Sequence, residues 1–136
     1  MAQDYLKKSG YKILLTNDKL AGSEVDIVAL LPRKRIIQNL RGDYKAGRLE
    51  KPAFEVSKKQ ATDVVVFVEV KARSSAKFGA PEEAVTSAKQ AHIRRYAKAF
   101  LVKYNFKNAS FRFDVISILL AENIKQSKIE HFENAF

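Results

Sequence analysis

Glu69 and Lys71 close an apolar run, Val64-Val65-Val66-Phe67-Val68, and Asp26 stands inside a second one that extends from Glu24 to Leu31. Side chains alternate faces along a strand, so Glu69 and Lys71 share a face with Val65 and Phe67. Ionised groups on a buried face are costly unless they are paired or bound to a metal. One chemistry that uses this set is phosphodiester hydrolysis, which needs a positioned water and neutralisation of charge on phosphate oxygens. Mg²⁺ (or Mn²⁺) does both, held by one or two carboxylates with several waters retained. Asp26 and Glu69 on adjacent strands would share the ion. Lys71 would orient or deprotonate the attacking water, or stabilise the transition state. Taken alone the signal is weak, because Glu-x-Lys is also an ordinary charge pair on a wet strand face.

The elements around these residues follow from pattern. Ala2, Tyr5 and Leu6 mark one face of a short helix over residues 2–9, stopped by Gly10. Tyr11–Thr16 reads as a strand, Asn17–Ser23 as a turn, and Glu24–Leu31 as a strand ending before Pro32. After the strand Val64–Lys71 comes a polar loop with Ser74, Ser75 and Gly79. Ala80-Pro81-Glu82-Glu83 opens the longest helix, with proline near its first turn and carboxylates at the positive dipole end. Val85, Ala88, His92, Tyr96, Phe100 and Tyr104 form its core-facing stripe. A strand over Phe111–Leu120 and a short edge strand over Ile129–Phe132 complete the chain. This order predicts an α/β fold, a mixed sheet with helices packed against it, in one domain spanning residues 1–136.

Composition narrows the setting. Lys and Arg number 25 against 15 Asp and Glu, a net charge of +10. Such a surface steers polyanions and gains from counterion release, so nucleic acid is the expected partner. Arg73, Lys89, Gln90 and Arg94 are the candidate contacts to it. No apolar run approaches the ~20 residues of a membrane span, and the N-terminus lacks a signal-peptide stretch. A cytoplasmic protein without a membrane partner is expected. The absence of cysteine excludes disulfides, thiolate zinc sites and a cysteine nucleophile. There is no phosphate-loop motif and no Gly-x-Gly-x-x-Gly.

The stretch 32–63 fits no element. It holds nine Lys or Arg against four Asp or Glu, half of the net charge, and its apolar residues have no period. A mobile, partly ordered basic insert is expected there, with a flap that closes on nucleic acid as the alternative.

A resemblance covers nearly the whole chain. The ordered residues Ala2, Tyr5-Leu6, Gly10-Tyr11, Asn17, Glu24-Val25-Asp26-Ile27-Val28-Ala29 and Phe67-Val68-Glu69-Val70-Lys71-Ala72-Arg73 begin it. Phe78-Gly79, Pro81, Lys89, Ile93, Arg112-Phe113-Asp114-Val115, Ile129-Glu130-His131 and Asn134-Ala135-Phe136 continue it. The pattern resembles the YraN family, which is similar in fold to the PD-(D/E)XK, restriction-endonuclease-like nucleases and the Holliday-junction resolvases. The resemblance implies that fold, and a metal-dependent endonuclease acting on DNA, branched or single-stranded. It matches Asp26 to the motif aspartate, Glu69 to the second acid, Lys71 to the motif lysine and Glu24 to a secondary acid. Junction-cleaving relatives make a homodimer the arrangement to test. Ser23 stands where the family has glycine, and the family's first-helix glutamate has no counterpart, since its position falls before Met1 and Asp4 is out of register. That departure motivates an alternative, a non-catalytic nucleic-acid-binding module on the nuclease scaffold.

Other residues have blander readings. Arg112 and Asp114 alternate with Phe113 and Val115, as a structural ion pair or a substrate contact. His92 is expected to pack in the core, and His131 has no ligand-type neighbour at useful spacing, so neither supports zinc. Tyr5, Tyr11, Tyr96 and Tyr104 are expected in the core.

Overall fold

The computed structural model describes residues 1–32, 63–74, 85–106 and 109–136. Nearly all of the basic stretch 32–63, Gly79 and the expected helix opening at Ala80–Glu83 lie outside the described residues. Along the chain run α1 (Ala2–Lys8), β1 (Lys12–Leu20), β2 (Ser23–Leu31), β3 (Val64–Arg73), α2 (Ser87–Lys103), β4 (Ser110–Leu119) and β5 (Lys128–Phe132), with a 3-10 turn at Ile124–Gln126. The strands form a five-stranded sheet in the order β1-β2-β3-β4-β5. All neighbours are antiparallel except β3 and β4, which are parallel and separated in sequence by α2. The expected α/β class with a mixed sheet and flanking helices is what the molecule has, consistent with a restriction-endonuclease-like fold.

Both described helices end in the same way. Gly10 takes φ 88° and Asn105 φ 59°, the left-handed region tolerated best by Gly and, among the others, by Asn. Each lets the following amide turn back to the last helical turn, Tyr11 N–H to the Leu6 carbonyl at 2.9 Å and Phe106 N–H to the Leu101 carbonyl at 2.8 Å. Helix α2 starts at Thr86, whose hydroxyl accepts from Lys89 N–H at 3.2 Å. It therefore begins downstream of the Pro81 signal: a threonine cap, not proline, sets its start.

The hairpin between β1 and β2 is tighter than the expected Asn17–Ser23 turn. Leu20 pairs directly with Ser23, and only Ala21 and Gly22 turn, with φ 53° and 70°, as a two-residue type I′ turn requires. Asn17, at φ 48°, is instead a local distortion inside β1. Continuation of the β1–β2 register places it opposite Asp26.

The sheet is buried on both sides, which explains the unbroken apolar run of β3. Beneath α2, Val28, Leu30, Val65, Phe67, Phe113 and Val115 pack with Ile93, Tyr96, Ala97 and Phe100. On the other side Ile27, Ala29, Val66, Val68, Ile116 and Ile118 pack with Ala2, Leu6 and Tyr11. Ile93, Tyr96, Ala97 and Phe100 are the true stripe of α2. Ala88 and His92 are exposed, which corrects the expectation that His92 packs. Counting back from Tyr96 in steps of four overshoots a turn of ~3.6 residues each time, and the first such step, to His92, already leaves the buried face. Tyr11 and Tyr96 are buried as expected, and Tyr5 and Tyr104 are half-buried.

Candidate nuclease-like site

The β2–β3 ladder runs from Leu31↔Val64 to Ile27↔Val68 and stops there. One residue further on, the Asp26 carboxylate takes over from the ladder: Val70 N–H donates to its Oδ2 at 2.7 Å. A charge-assisted bond of this kind is short and strong. It fixes Asp26 against the backbone of Glu69-Val70-Lys71, where the two strands part. The same point shows a phase change in β2, since Val25 and Val28 both pack under α2 although strict alternation would separate them.

Glu69 lies on the α2 side with Val65 and Phe67 and is 3% exposed. Lys71 Nζ is 3.0 Å from its Oε1. Lys89 Nζ, from the first turn of α2, is 3.5 Å from its Oε2. Both lysines retain solvent contact, with side chains 31% and 27% exposed. Oε2 is nevertheless buried without a hydrogen bond, so the Lys89 contact is charge proximity, not a well-aligned bond. A buried carboxylate oxygen without a donor is costly in isolation and is suited to accept one more cationic partner.

Glu69, Lys71 and Lys89 thus form one charge cluster, and Asp26 is bonded to the backbone one residue beyond Glu69. Two carboxylates of this type fit a hard divalent cation, which takes a few protein oxygens and fills its remaining positions with water. Among the described residues, no group of three or more His, Asp or Glu is arranged to hold a metal. Glu24 stays outside: it is exposed and faces Lys19 at 3.7 Å near the hairpin turn. Of the candidate nucleic-acid contacts, Lys89 belongs to the Glu69 cluster. Gln90 donates to the Val85 carbonyl at 3.1 Å and accepts from Arg94 at 3.5 Å. The Arg94 guanidinium lies 5.7 Å from the Phe113 ring centre and 5.4 Å from that of Phe136. Arg73 ends β3, half-buried, and its carbonyl accepts from Leu120 N–H at 2.7 Å.

A second polar cluster lies on the opposite face. Asp114 is fully buried. Its Oδ1 accepts from Arg112 Nε at 3.0 Å and Asn134 N–H at 2.9 Å; its Oδ2 takes Arg112 Nη2 at 3.0 Å and meets His131 Nε2 at 2.8 Å. Arg112 also pairs with Glu133 at 3.0 Å, and Tyr11 donates its hydroxyl to Glu133 at 2.9 Å. Burial and then this bond push the Tyr11 phenol up to about 12. For Arg112, burial alone would lower the pKa, but the bond to Asp114 and the charges of Asp114, Tyr11 and Glu133 together raise it. The Arg112–Asp114 pair is therefore a structural ion pair. Sequence reading did not anticipate its extension through His131, Glu133 and Tyr11. The only signal was polar residues at alternate positions of an edge strand, which ordinarily face water.

No helix among the described residues is long and apolar enough to cross a membrane. Comparison with known proteins adds the lineage. A family model described as "Uncharacterised protein family UPF0102" matches residues 1–118. A UPF0102 protein of Alkaliphilus oremlandii is 37% identical over 138 residues, covering 100% of this chain and 91% of that one. One from Caldicellulosiruptor saccharolyticus is 35% identical over 135 residues, covering 99% and 89%. One from Caldanaerobacter subterraneus is 36% identical over 137 residues, covering 100% and 88%.

Proposed function

The chain belongs to the UPF0102 family, the YraN family of the sequence resemblance, and from that premise we propose that it is a metal-dependent endonuclease hydrolysing phosphodiester bonds in DNA. The observation that carries this reading is the buried Glu69 carboxylate. It is flanked by Lys71 and Lys89 and adjoins an Asp26 that a backbone amide holds in place.

Asp26 and Glu69 would hold Mg²⁺ or Mn²⁺. When bound, the ion supplies Lewis-acid neutralisation of the phosphate and a more acidic water. The chain's own residues do the rest. The Val70 amide fixes the Asp26 rotamer, so one oxygen donor is set before any substrate arrives. Lys71, in contact with one Glu69 oxygen and partly in solvent, is placed to orient the attacking water and to offset charge developing on the phosphate. Lys89 adds a second positive charge from the helix side. The net charge of +10 draws the polyanion toward this surface.

The test is incubation of labelled linear, branched and single-stranded DNA with the protein, in Mg²⁺ or Mn²⁺ and in chelator. Cleavage is expected only with metal, and Asp26→Ala and Lys71→Ala should each abolish it while far-ultraviolet circular dichroism is unchanged. Cutting that persists in chelator, or in both variants, overturns the assignment. A second reading is supported by the lack of a third acid among the described residues. The chain would then be a nucleic-acid-binding module on a nuclease scaffold, with salt-sensitive binding and no cleavage at any metal concentration.

A further inference from the structure

Phe111 is a large aromatic side chain left 49% exposed at the open start of a strand that is buried from Phe113 to Ile118. In the parallel β3–β4 register it pairs with Val65, while Glu69 pairs with Val115. By strand alternation Phe111, Phe113 and Val115 therefore lie on the face that carries Glu69 and Lys71. Phe111 is four strand residues from the level of Glu69, about 13 Å along the sheet.

The space between is organised. Phe111 meets Phe113 edge-on at 5.8 Å, and Phe113 stacks on Phe136 at 5.2 Å with an interplanar angle of 13°. Arg94 lies over both of the latter rings and is itself exposed. With its plane covered by aromatics and one edge nitrogen turned to Gln90, the guanidinium keeps its other edge N–H groups for a phosphate. Helix α2 returns across the sheet from Lys89 beside Glu69 to Arg94 beside Phe113. Lys71, Lys89, Arg94 and the open ring of Phe111 thus lie on one side of the sheet, Arg94 linked to Phe111 through the ring of Phe113. Cations followed by an exposed aromatic form the recognition pattern for single-stranded nucleic acid, whose backbone follows the charges while a base stacks on the ring. A duplex keeps its bases stacked on each other and has none to offer.

We propose that Phe111 is a stacking site for an unpaired base of a DNA strand whose neighbouring phosphates lie on Arg94 and Lys89. The proposal rests on the phosphodiesterase reading and deepens it: the substrate has a single-stranded segment on the Arg94–Phe111 side of the cut phosphate.

The chain contains no tryptophan, so Phe111→Trp introduces a single reporter at the site. In chelator, where no cutting occurs, fluorescence anisotropy would compare an oligodeoxythymidylate with a duplex of equal length. Phe111→Ala should weaken the single strand roughly 10-fold, the scale of one lost base–aromatic stack, and leave the duplex within about twofold. In Phe111→Trp, single-strand affinity should be retained and the indole emission quenched on binding. Arg94→Met should flatten the salt dependence by about one charge on both ligands. Unchanged single-strand affinity in Phe111→Ala, an equal loss on both ligands, or no quenching in Phe111→Trp would overturn the proposal. None of these readouts uses cleavage, so a chain that binds in this way but never cuts defeats the endonuclease reading and not this one.

Discussion

Glu69 and Asp114 are both buried strand carboxylates, on opposite faces of one sheet, and they are satisfied to very different degrees. Asp114 has four donor contacts from Arg112, His131 and the Asn134 backbone, with both oxygens occupied. Glu69 has two lysines, one of them poorly aligned, and an oxygen with no hydrogen bond. A saturated carboxylate has nothing left to give a ligand, whereas an under-bonded one beside partly exposed cations does. Burial alone therefore does not distinguish a structural charge from a reactive one; the count and alignment of its donors does.

Matched isosteric substitutions probe that contrast. The largest separation is expected on cleavage. Glu69→Gln should lower the rate by two to three orders of magnitude, the scale of one removed charge-positioning group. Its cost in stability should be about 1 kcal/mol or less, because both lysines can turn to water. Asp114→Asn should do the reverse, costing about 3 kcal/mol in urea denaturation by leaving Arg112 with only the exposed Glu133 as counter-charge. Equal stability losses in the two variants would break the comparison.

The smallest effect concerns Tyr11. Its phenol is raised to about 12 in the fold against about 10 in an unfolded chain, so the unfolded state releases this proton first. Stability from this source is complete below pH 10 and is lost as pH rises toward 12. Tyr11→Phe should cost about 1 kcal/mol at neutral pH and should shallow the alkaline decline between pH 10 and 12. An alkaline profile identical to the parent's would show that Tyr11 is not responsible for it.

What sequence could reach depended on the range of the relation involved. Glu69 and Lys71 share a face with Phe67 because strand alternation has period two and needs no tertiary knowledge. Asp26 was legible as an acid among β-formers, and its family match sharpened that. Its bond to the Val70 amide was not legible, since it exists only because the β2–β3 ladder stops at Ile27. Lys89 was readable as one helix cation among several. Its place beside Glu69 depends on how α2 returns over β3. His131 was set aside for lack of neighbours in sequence. Its partner is Asp114, brought beside it by the β4–β5 pairing, and that cluster is the part of the molecule pattern reading missed. Glu24 was drawn in by the family resemblance, yet strand geometry points it to Lys19 and water.

The single parallel pairing in the sheet has a kinetic consequence. The β1–β2 hairpin closes over two residues and can form early, whereas Val64 meets Ser110 only after the chain has traversed α2. Contacts between residues so distant in sequence must meet their loop-closure entropy before they return any stabilisation. Glu69 and Lys89 face each other across that same closure, so the candidate site belongs to the late-forming part of the molecule. A chain stalled before the crossover docks would hold β2 and β3 paired with no Lys89 over Glu69, and would expose the apolar edge of β3 as a place for other strands to pair.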